Sequence, residues 1–339
     1  MSPHLPEAVK SAWHLAALSR SISIGQRKSV NVIGTPIVLF RTKEGLGALV
    51  DRCPHRNYPL SQGQVRDDGI ECPYHGWRFG RSGACLAVPG CASPEAPNPR
   101  YAASAVRVLE LHGGIFVCLS PAGPARPCLP PTIGEADHDH FWWEQGAWRG
   151  RAYDAIENVL DPFHTNHLHH GLIRHRERRQ PVKLQVNTFC DGVEMVIQQT
   201  SPDVGLMSKL LERERSWSAT RYYPPTIVQA RWQSKSSLTL CVTAFFTPSA
   251  DNTFLPFACF TTRKGIAPRW LKEAAIRVVL NPVVAQDRRA LQLQSEVMST
   301  FGRPKFVQGP GDILGNRLHQ LWMGETLVPG TDAPVDAFL

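Results

Sequence analysis

Two short stretches hold most of the residues able to bind a metal. Cys53-Pro54-His55 is followed after sixteen residues by Cys72-Pro73-Tyr74-His75. Each half pairs one thiol with one imidazole at very short spacing. Two thiolates and two neutral imidazoles can hold a tetrahedral zinc. They also suit a [2Fe–2S] cluster whose thiolates bind one iron and whose imidazoles bind the other, an arrangement less negative and higher in potential than four thiolates. Both halves sit in glycine- and proline-bounded loops within a β-rich region, which favours the cluster. The other seven cysteines, Cys85, Cys91, Cys118, Cys128, Cys190, Cys241 and Cys259, show no such pairing and read as small buried hydrophobes.

The second stretch runs from Glu157 to Gly171 and contains Asn158, Asp161, His164, His167, His169 and His170. His164 and His169 are five apart, about 140° around a regular helix. They can face one ion only if the helix bends or ends between them, and Gly171 fits such an ending. Two imidazoles and one carboxylate make a facial triad that holds Fe(II) with positions left open for O2. Asp287, in Gln286-Asp287-Arg288-Arg289, is the expected carboxylate; by itself it reads equally as an exposed helical Asp. His167 and His170 read as supporting or surface residues.

The elements that must position these residues follow from pattern. The first third is rich in short β-like runs, such as Val30–Ile33, Ile37–Phe40 and Gly114–Leu119. Residues 120–131, dense in Pro and Gly, read as a linker. A helix is expected near 153–168, then strands over 182–189, 193–200, 226–232, 238–247 and 254–262. Two helices close the pattern. One opens at Pro268 and ends near Leu280; the other starts at Asn281-Pro282, read as a cap followed by a first-turn proline, and ends near Thr300. The tail bearing Asp332 and Asp336 has weak helical character. This is an α+β chain with a mostly antiparallel sheet in its second part. Trp232, Phe245, Phe246 and Phe257 are pocket candidates, and residues 201–215 read as a lid.

Residues 53–90, CPHRNYPLSQGQVRDDGIECPYHGWRFGRSGACLAVPG, resemble the Rieske motif of ring-hydroxylating oxygenases, and N-x-x-D-x-x-H-x-x-x-x-H over 158–169 is similar to the iron motif of the same Rieske non-haem iron family. The resemblance extends from about Trp13 to the C-terminal helices and is strongest for the short homotrimeric branch. It implies an N-terminal all-β Rieske domain over 1–122 and a helix-grip catalytic domain over 123–339. It implies a [2Fe–2S] cluster on Cys53, His55, Cys72 and His75, and a mononuclear Fe(II) on His164, His169 and Asp287. Asn158 would lie near the iron. Asp161 would link His164 to His75 of the partner subunit in a head-to-tail trimer. The implied activity is that of a monooxygenase terminal component, hydroxylating or O- or N-demethylating a small aromatic or other hydrophobic molecule with O2. Electrons would come from NAD(P)H through a flavin reductase, a ferredoxin, or both. Two readings from other classes compete: a Rieske electron carrier without oxygenase activity, and a zinc-stabilised binding module.

Composition frames these readings. The chain has 339 residues, 42% hydrophobic and 19% charged, enough for a sizeable core. No apolar run is long enough to span a membrane, and the N-terminus lacks a signal-peptide pattern, so a cytoplasmic protein is expected. Nine cysteines, an odd number, argue for metal ligation over a disulfide framework. The net charge is +8, with a basic run at Arg174-His175-Arg176-Glu177-Arg178-Arg179. The run reads as a solvated face, or as a docking surface for an acidic partner such as a ferredoxin. No nucleic-acid-binding motif accompanies the charge.

Overall fold

The computed structural model describes residues 5–90, 98–177, 179–199, 215–234, 238–250, 252–265, 267–302 and 304–339. The chain forms two compact units, one of residues 10–128 with 247–250, the other of residues 5–9, 129–246 and 252–339.

In the first unit β1 (His14–Leu18), β10 (Gly114–Cys118) and β9 (Arg107–Leu111) form one three-stranded sheet, and β2 (Arg27–Val32), β3 (Thr35–Thr42) and β4 (Gly45–Val50) form another. A four-stranded sheet joins β5 (Gln64–Val65), β6 (Ile70–Glu71), β7 (Arg78–Phe79) and β8 (Cys85–Ala87). Successive side chains of a strand face opposite ways. Strand β3 is buried on both faces: Ile37 and Leu39 enter one core, Val38 and Phe40 another that also holds Cys53 and Cys72. The linker expected from 120 onward starts out anchored to this unit. The Arg107 guanidinium donates to the carbonyls of Ser120, Gly123 and Pro124, and the Trp13 indole donates to Pro124 at 2.8 Å.

The second unit is built on a ten-stranded sheet. Its main path is β11 (His138–Glu144), β18 (Thr253–Arg263), β17 (Leu238–Pro248), β16 (Ile227–Ser234), β15 (Arg215–Tyr223), β14 (Gly192–Gln199), β13 (Pro181–Phe189) and β19 (Gly330–Thr331). The short strands β12 (Trp148–Arg149) and β20 (Val335–Phe338) add to β18 and β13. Register sets Met195, Thr220, Ala230 and Val242 in one row across β14 to β17. Helix α2 (Ala152–Leu160) packs on β15, β16 and α3 (Arg269–Thr300); α4 (Gly315–Met323) packs on β14.

The structure corrects several expectations. The helix expected over 153–168 ends at Leu160, because Asp161 is extended (φ −77°, ψ 120°) and precedes a proline, which disfavours helical backbone at the residue before it. The expected C-terminal helix pair is one 32-residue helix, with Pro282 inside it. Proline removes one N–H donor, but Ile276, Leu280, Val283, Val284 and Leu291 carry a buried or half-buried apolar face past it. Strands β11 and β15 and helix α4 were not expected, and the tail at Asp332 and Asp336 pairs with β13 instead of tending to helix. The expected lid over 201–215 lies outside the described residues up to 214, and Arg215 opens β15. Cys128 and Cys190 are exposed, against the buried reading given to them; Cys85, Cys118, Cys241 and Cys259 are buried, and Cys91 lies outside the described residues.

Candidate metal centres and substrate cavity

The Cys/His loops have unequal spacing but the same backbone path. In the first, the Cys53 N–H donates to Tyr58 O at 2.8 Å and the Asn57 N–H to Cys53 O at 2.9 Å. In the second, Cys72 N–H donates to Trp77 O at 2.8 Å and Gly76 N–H to Cys72 O at 2.9 Å. The residue four beyond each cysteine, Asn57 (φ 59°) or Gly76 (φ 72°), is left-handed, a conformation open to Asn and Gly. A Cβ on Gly76 would also meet Pro89 Cγ at 2.8 Å.

These twin turns place both thiols inward and both imidazoles outward. Cys53 and Cys72 are buried, His55 is half-buried and His75 is exposed. The His55 and His75 rings lie 4.5 Å apart edge to face, and Trp77 stacks on His55 at 4.6 Å. Burial, followed by the neighbouring Cys72, pushes the Cys53 thiol up to about 11. Two buried thiols side by side cannot both ionise cheaply unless a cation holds them. Burial and the neighbours His75 and Arg56 push His55 below its ordinary value, towards the neutral ring a metal needs. His55 Nδ1 is buried and has no hydrogen-bond partner among the described residues. This donor set fits a [2Fe–2S] cluster held by two thiolates and two imidazoles.

In the second unit the helix ends at Leu160, before both His164 and His169 and not between them, so neither histidine is carried on a regular α-helix. Asp161 closes the helix, a 3-10 turn runs over Phe163–Asn166, and both imidazoles turn to one side, their centroids 5.1 Å apart. Asp287 reaches them from the middle of α3: its Oδ1 lies 3.1 Å from His169 Nε2 and 3.8 Å from His164 Nε2. The ligand atoms of all three residues lie within 4.8 Å of one another. His167 and His170 point elsewhere, to the Arg179 side chain and the Arg176 N–H.

Three further residues orient this triad. Asn158 Nδ2 donates to Asp287 Oδ1 at 3.1 Å. Gln286 Oε1 lies 2.8 Å from His169 Nδ1, so an N–H there fixes the tautomer and leaves Nε2 free to coordinate. Gln286 had not been singled out from sequence; its one signal is adjacency to Asp287. Asp161 accepts the N–H groups of Phe163 (2.7 Å) and His164 (3.1 Å), and its Oδ2 lies 3.5 Å from His164 Nδ1. The turn after the helix therefore brings Asp161 and His164 side by side.

The charges agree with this geometry. Burial alone would raise the Asp161 carboxyl, but His164 and the two N–H donors outweigh it, and the group ionises below its usual range. Burial lowers His169, yet the Asp287 carboxylate and Gln286 more than reverse this and hold the ring above its ordinary value. A divalent cation bound by the same atoms would take the place of a proton between His169 and Asp287. His164 Nδ1 is buried and meets no hydrogen-bond geometry; the acceptor nearest to hand is Asp161 Oδ2, at the ion-pair distance of 3.5 Å. Two imidazoles and a carboxylate converging on one point fit a mononuclear iron.

The triad opens on a cavity of about 300 Å³. Met195, Ile197, Trp232, Phe246, Phe260 and Leu280 supply much of its apolar lining. Of the aromatic candidates, Trp232, Phe246 and Phe257 line it; Phe245 does not, because alternation on β17 turns it to the opposite face, against Trp142 at 5.7 Å. Arg174 also lines the cavity and is only 7% exposed, so the basic run is not a uniformly solvated face.

The comparisons with known proteins bear on both units. The model of the Rieske [2Fe-2S] domain matches residues 12–107, and that of the vanillate O-demethylase oxygenase C-terminal domain matches 148–321, just over half of the chain. Pheophorbide a oxygenase of Arabidopsis thaliana is 30% identical over 191 residues, 52% of this chain and 35% of that protein. The oxygenase component of 3-ketosteroid-9-alpha-monooxygenase of Rhodococcus rhodochrous is 31% identical over 166 residues, 47% and 43% of the two chains. The chain thus spans less than half the length of these curated relatives. Among solved structures, dicamba monooxygenase bound to dicamba aligns with a TM-score of 0.77 at 18% identity, over 93% of this chain and 97% of that one. Pseudomonas putida CBB5 NdmA with caffeine aligns at 0.79 and 19%, over 96% and 98%. At those identities the structures show a shared fold.

Proposed function

Starting from the chain's membership of the Rieske non-haem iron oxygenase family, we propose that it is the terminal oxygenase component of a multicomponent monooxygenase. The two matched domains imply a Rieske [2Fe–2S] cluster and a mononuclear iron with O2 as co-substrate. We assign the cluster to Cys53, His55, Cys72 and His75, and the iron to His164, His169 and Asp287. The observation that carries the reading is the meeting of His164 and His169 with Asp287, 118 or more positions along the chain, beside a 300 Å³ apolar cavity. A Rieske electron carrier has no use for either feature, and a zinc module has no use for two sites.

In this reading a flavin reductase would take electrons from NAD(P)H and hand them on, directly or through a ferredoxin, to the cluster held by Cys53, His55, Cys72 and His75, which would supply them singly to the iron. Iron held by two imidazoles and a carboxylate supplies O2 activation, and one oxygen atom enters the substrate. The chain's own residues do the rest. Gln286 and Asn158 hold His169 and Asp287 in place; Trp232, Phe246 and Phe260 keep water from the substrate; Asp161 holds His164. The lining favours a small, largely apolar organic molecule, with a hydroxylated or demethylated product. The named neighbours bound to dicamba and caffeine, both ring compounds, support that substrate class.

We further assign a head-to-tail homotrimer, in which Asp161 carries the contact from His164 to His75 of the partner subunit, and a cytoplasmic location. Among the described residues no helix is long and apolar enough to cross a membrane. The function is tested by supplying the full chain with NAD(P)H, a surrogate reductase and ferredoxin, and a panel of methoxylated, N-methylated and unsubstituted ring compounds. Substrate-dependent O2 uptake matched by oxygenated product supports the proposal. Cluster reduction and reoxidation with no substrate oxidised across the panel would favour the electron carrier.

A further inference from the structure

A second, smaller cavity of about 40 Å³ adjoins the substrate cavity. Leu160, Asp161, Pro162 and Met195 border both. It is also lined by Glu157 and Asp312. Asp312 is fixed by accepting the Gly309 N–H at 2.6 Å, while Glu157 is half-buried on α2, one turn before Asp161. A void needs roughly 10–15 Å³ and two or more polar partners to hold a water; this one has the volume, and Glu157, Asp161 and Asp312 supply carboxylates among its otherwise largely apolar lining. Waters held there would have the Glu157 and Asp312 carboxylates as polar partners.

Monooxygenation sets the demand. Substrate C–H, O2, two electrons and two protons give C–OH and water: the C–H and O–O bonds break, C–O and O–H bonds form, and the electrons come from the NAD(P)H-driven reductase. The substrate cavity is mostly apolar and is a poor path for those protons. We infer that Glu157 is the proton donor to the oxygenase site, relaying protons from solvent through the Glu157–Asp312 cavity and past the wall at Asp161 and Pro162. This rests on the proposed oxygenase reaction.

The charges around Glu157 suit a donor that keeps its proton to higher pH than an ordinary carboxyl. Burial pushes its carboxyl above the usual range, Asp154, Asp312 and Asp161 add to the rise, and Arg151 opposes it. Arg151 is largely occupied by its ion pair with Asp154. Tyr153, raised by burial and by Glu157 and Asp154, stays a neutral phenol. Because a raised carboxyl donates only while protonated, the relay is intact at low pH and is lost as pH rises through the Glu157 value. Asp161, already ionised, need not change its proton.

The test uses the holoenzyme. By pH-difference infrared spectroscopy, one protonated-carboxyl band should titrate above the usual carboxylate range and vanish in Glu157→Gln; this readout needs no turnover. In single turnover of pre-reduced enzyme, Glu157→Gln should slow product formation by roughly tenfold or more, enlarge the solvent deuterium isotope effect and remove the alkaline limb of the pH profile. Asp312→Asn removes a like charge, so the band and the limb should both move to lower pH, a test that stands even where Glu157→Gln folds poorly. An unchanged limb and isotope effect in Glu157→Gln, or no shift in Asp312→Asn, overturns the relay. An enzyme that shows the Glu157 band but oxidises nothing contradicts the oxygenase reading while leaving the carboxyl assignment standing.

Discussion

The two candidate metal centres are built on opposite principles. The Cys/His centre is local. Its four residues span 53 to 75, and each half is one turn whose backbone hydrogen bonds begin at its own cysteine. The His/His/Asp centre is assembled by tertiary structure, since Asp287 arrives on a different helix from the loop that carries both histidines. A local centre depends on its own loops and tolerates change elsewhere. An assembled centre depends on how α2 and α3 pack on the sheet, and on residues such as Gln286 and Asn158 that hold ligands without being ligands.

That contrast can be broken most severely at the ligands. Asp287→Ala should abolish turnover and leave the cluster's visible and EPR spectra unchanged, whereas Cys53→Ala or His75→Ala should remove the cluster signal. Residual full activity in Asp287→Ala would mean that another carboxylate completes the triad. A cluster signal surviving in Cys53→Ala would defeat the local assignment.

Next in size is Asp161→Asn, which keeps shape and one acceptor but removes the charge facing His164 Nδ1. Both metals and the oligomer should persist, but a reduced cluster should fail to reoxidise when substrate and O2 are added. Stopped-flow absorbance reads this directly; reoxidation at the wild-type rate would reduce Asp161 to a turn cap. A smaller effect is expected for Gln286→Leu, which frees the His169 tautomer. Iron affinity, measured by competition with a chelator, should fall by roughly 10- to 100-fold, with no effect on the cluster. An equal loss at both centres would contradict their independence.

A last effect, confined to stability, sharpens the account of α3. Pro282→Ala restores an N–H inside a helix that already runs through the position, so it should stabilise the protein by up to about 3 kcal/mol, read as a shift in the denaturation midpoint. Destabilisation would show that the proline shapes the helix on which Asp287 sits.

The same contrast explains what the sequence disclosed. The cluster residues were legible because their chemistry is concentrated in two short segments. The histidines were legible too, but the break falls earlier than expected: the helix ends at Leu160, before both of them, because Asp161 precedes Pro162. Asp287 could be chosen only with the family resemblance in hand, because no local pattern distinguishes it from an exposed helical Asp. Gln286 was invisible for the same reason. Pro282 misled because the rule that proline opens or breaks helices is local, while the apolar face from Ile276 to Leu291 is held by packing on the sheet. Strand β15 was missed because its pocket face carries Ser218 and Thr220, which do not spell out a hydrophobic alternation. Phe245 was misplaced because β-strand parity cannot be assigned before the register is known.

The most direct measurement of the central claim, two distinct centres in one chain, is the ratio of iron to acid-labile sulfide in the purified wild-type protein, taken beside Asp287→Ala. The account predicts one more iron than sulfide per chain in the wild type, and equal amounts in the variant with the cluster spectrum intact. Equal iron and sulfide in a fully iron-loaded wild type would leave only an electron carrier, and zinc without sulfide would contradict the account at both centres.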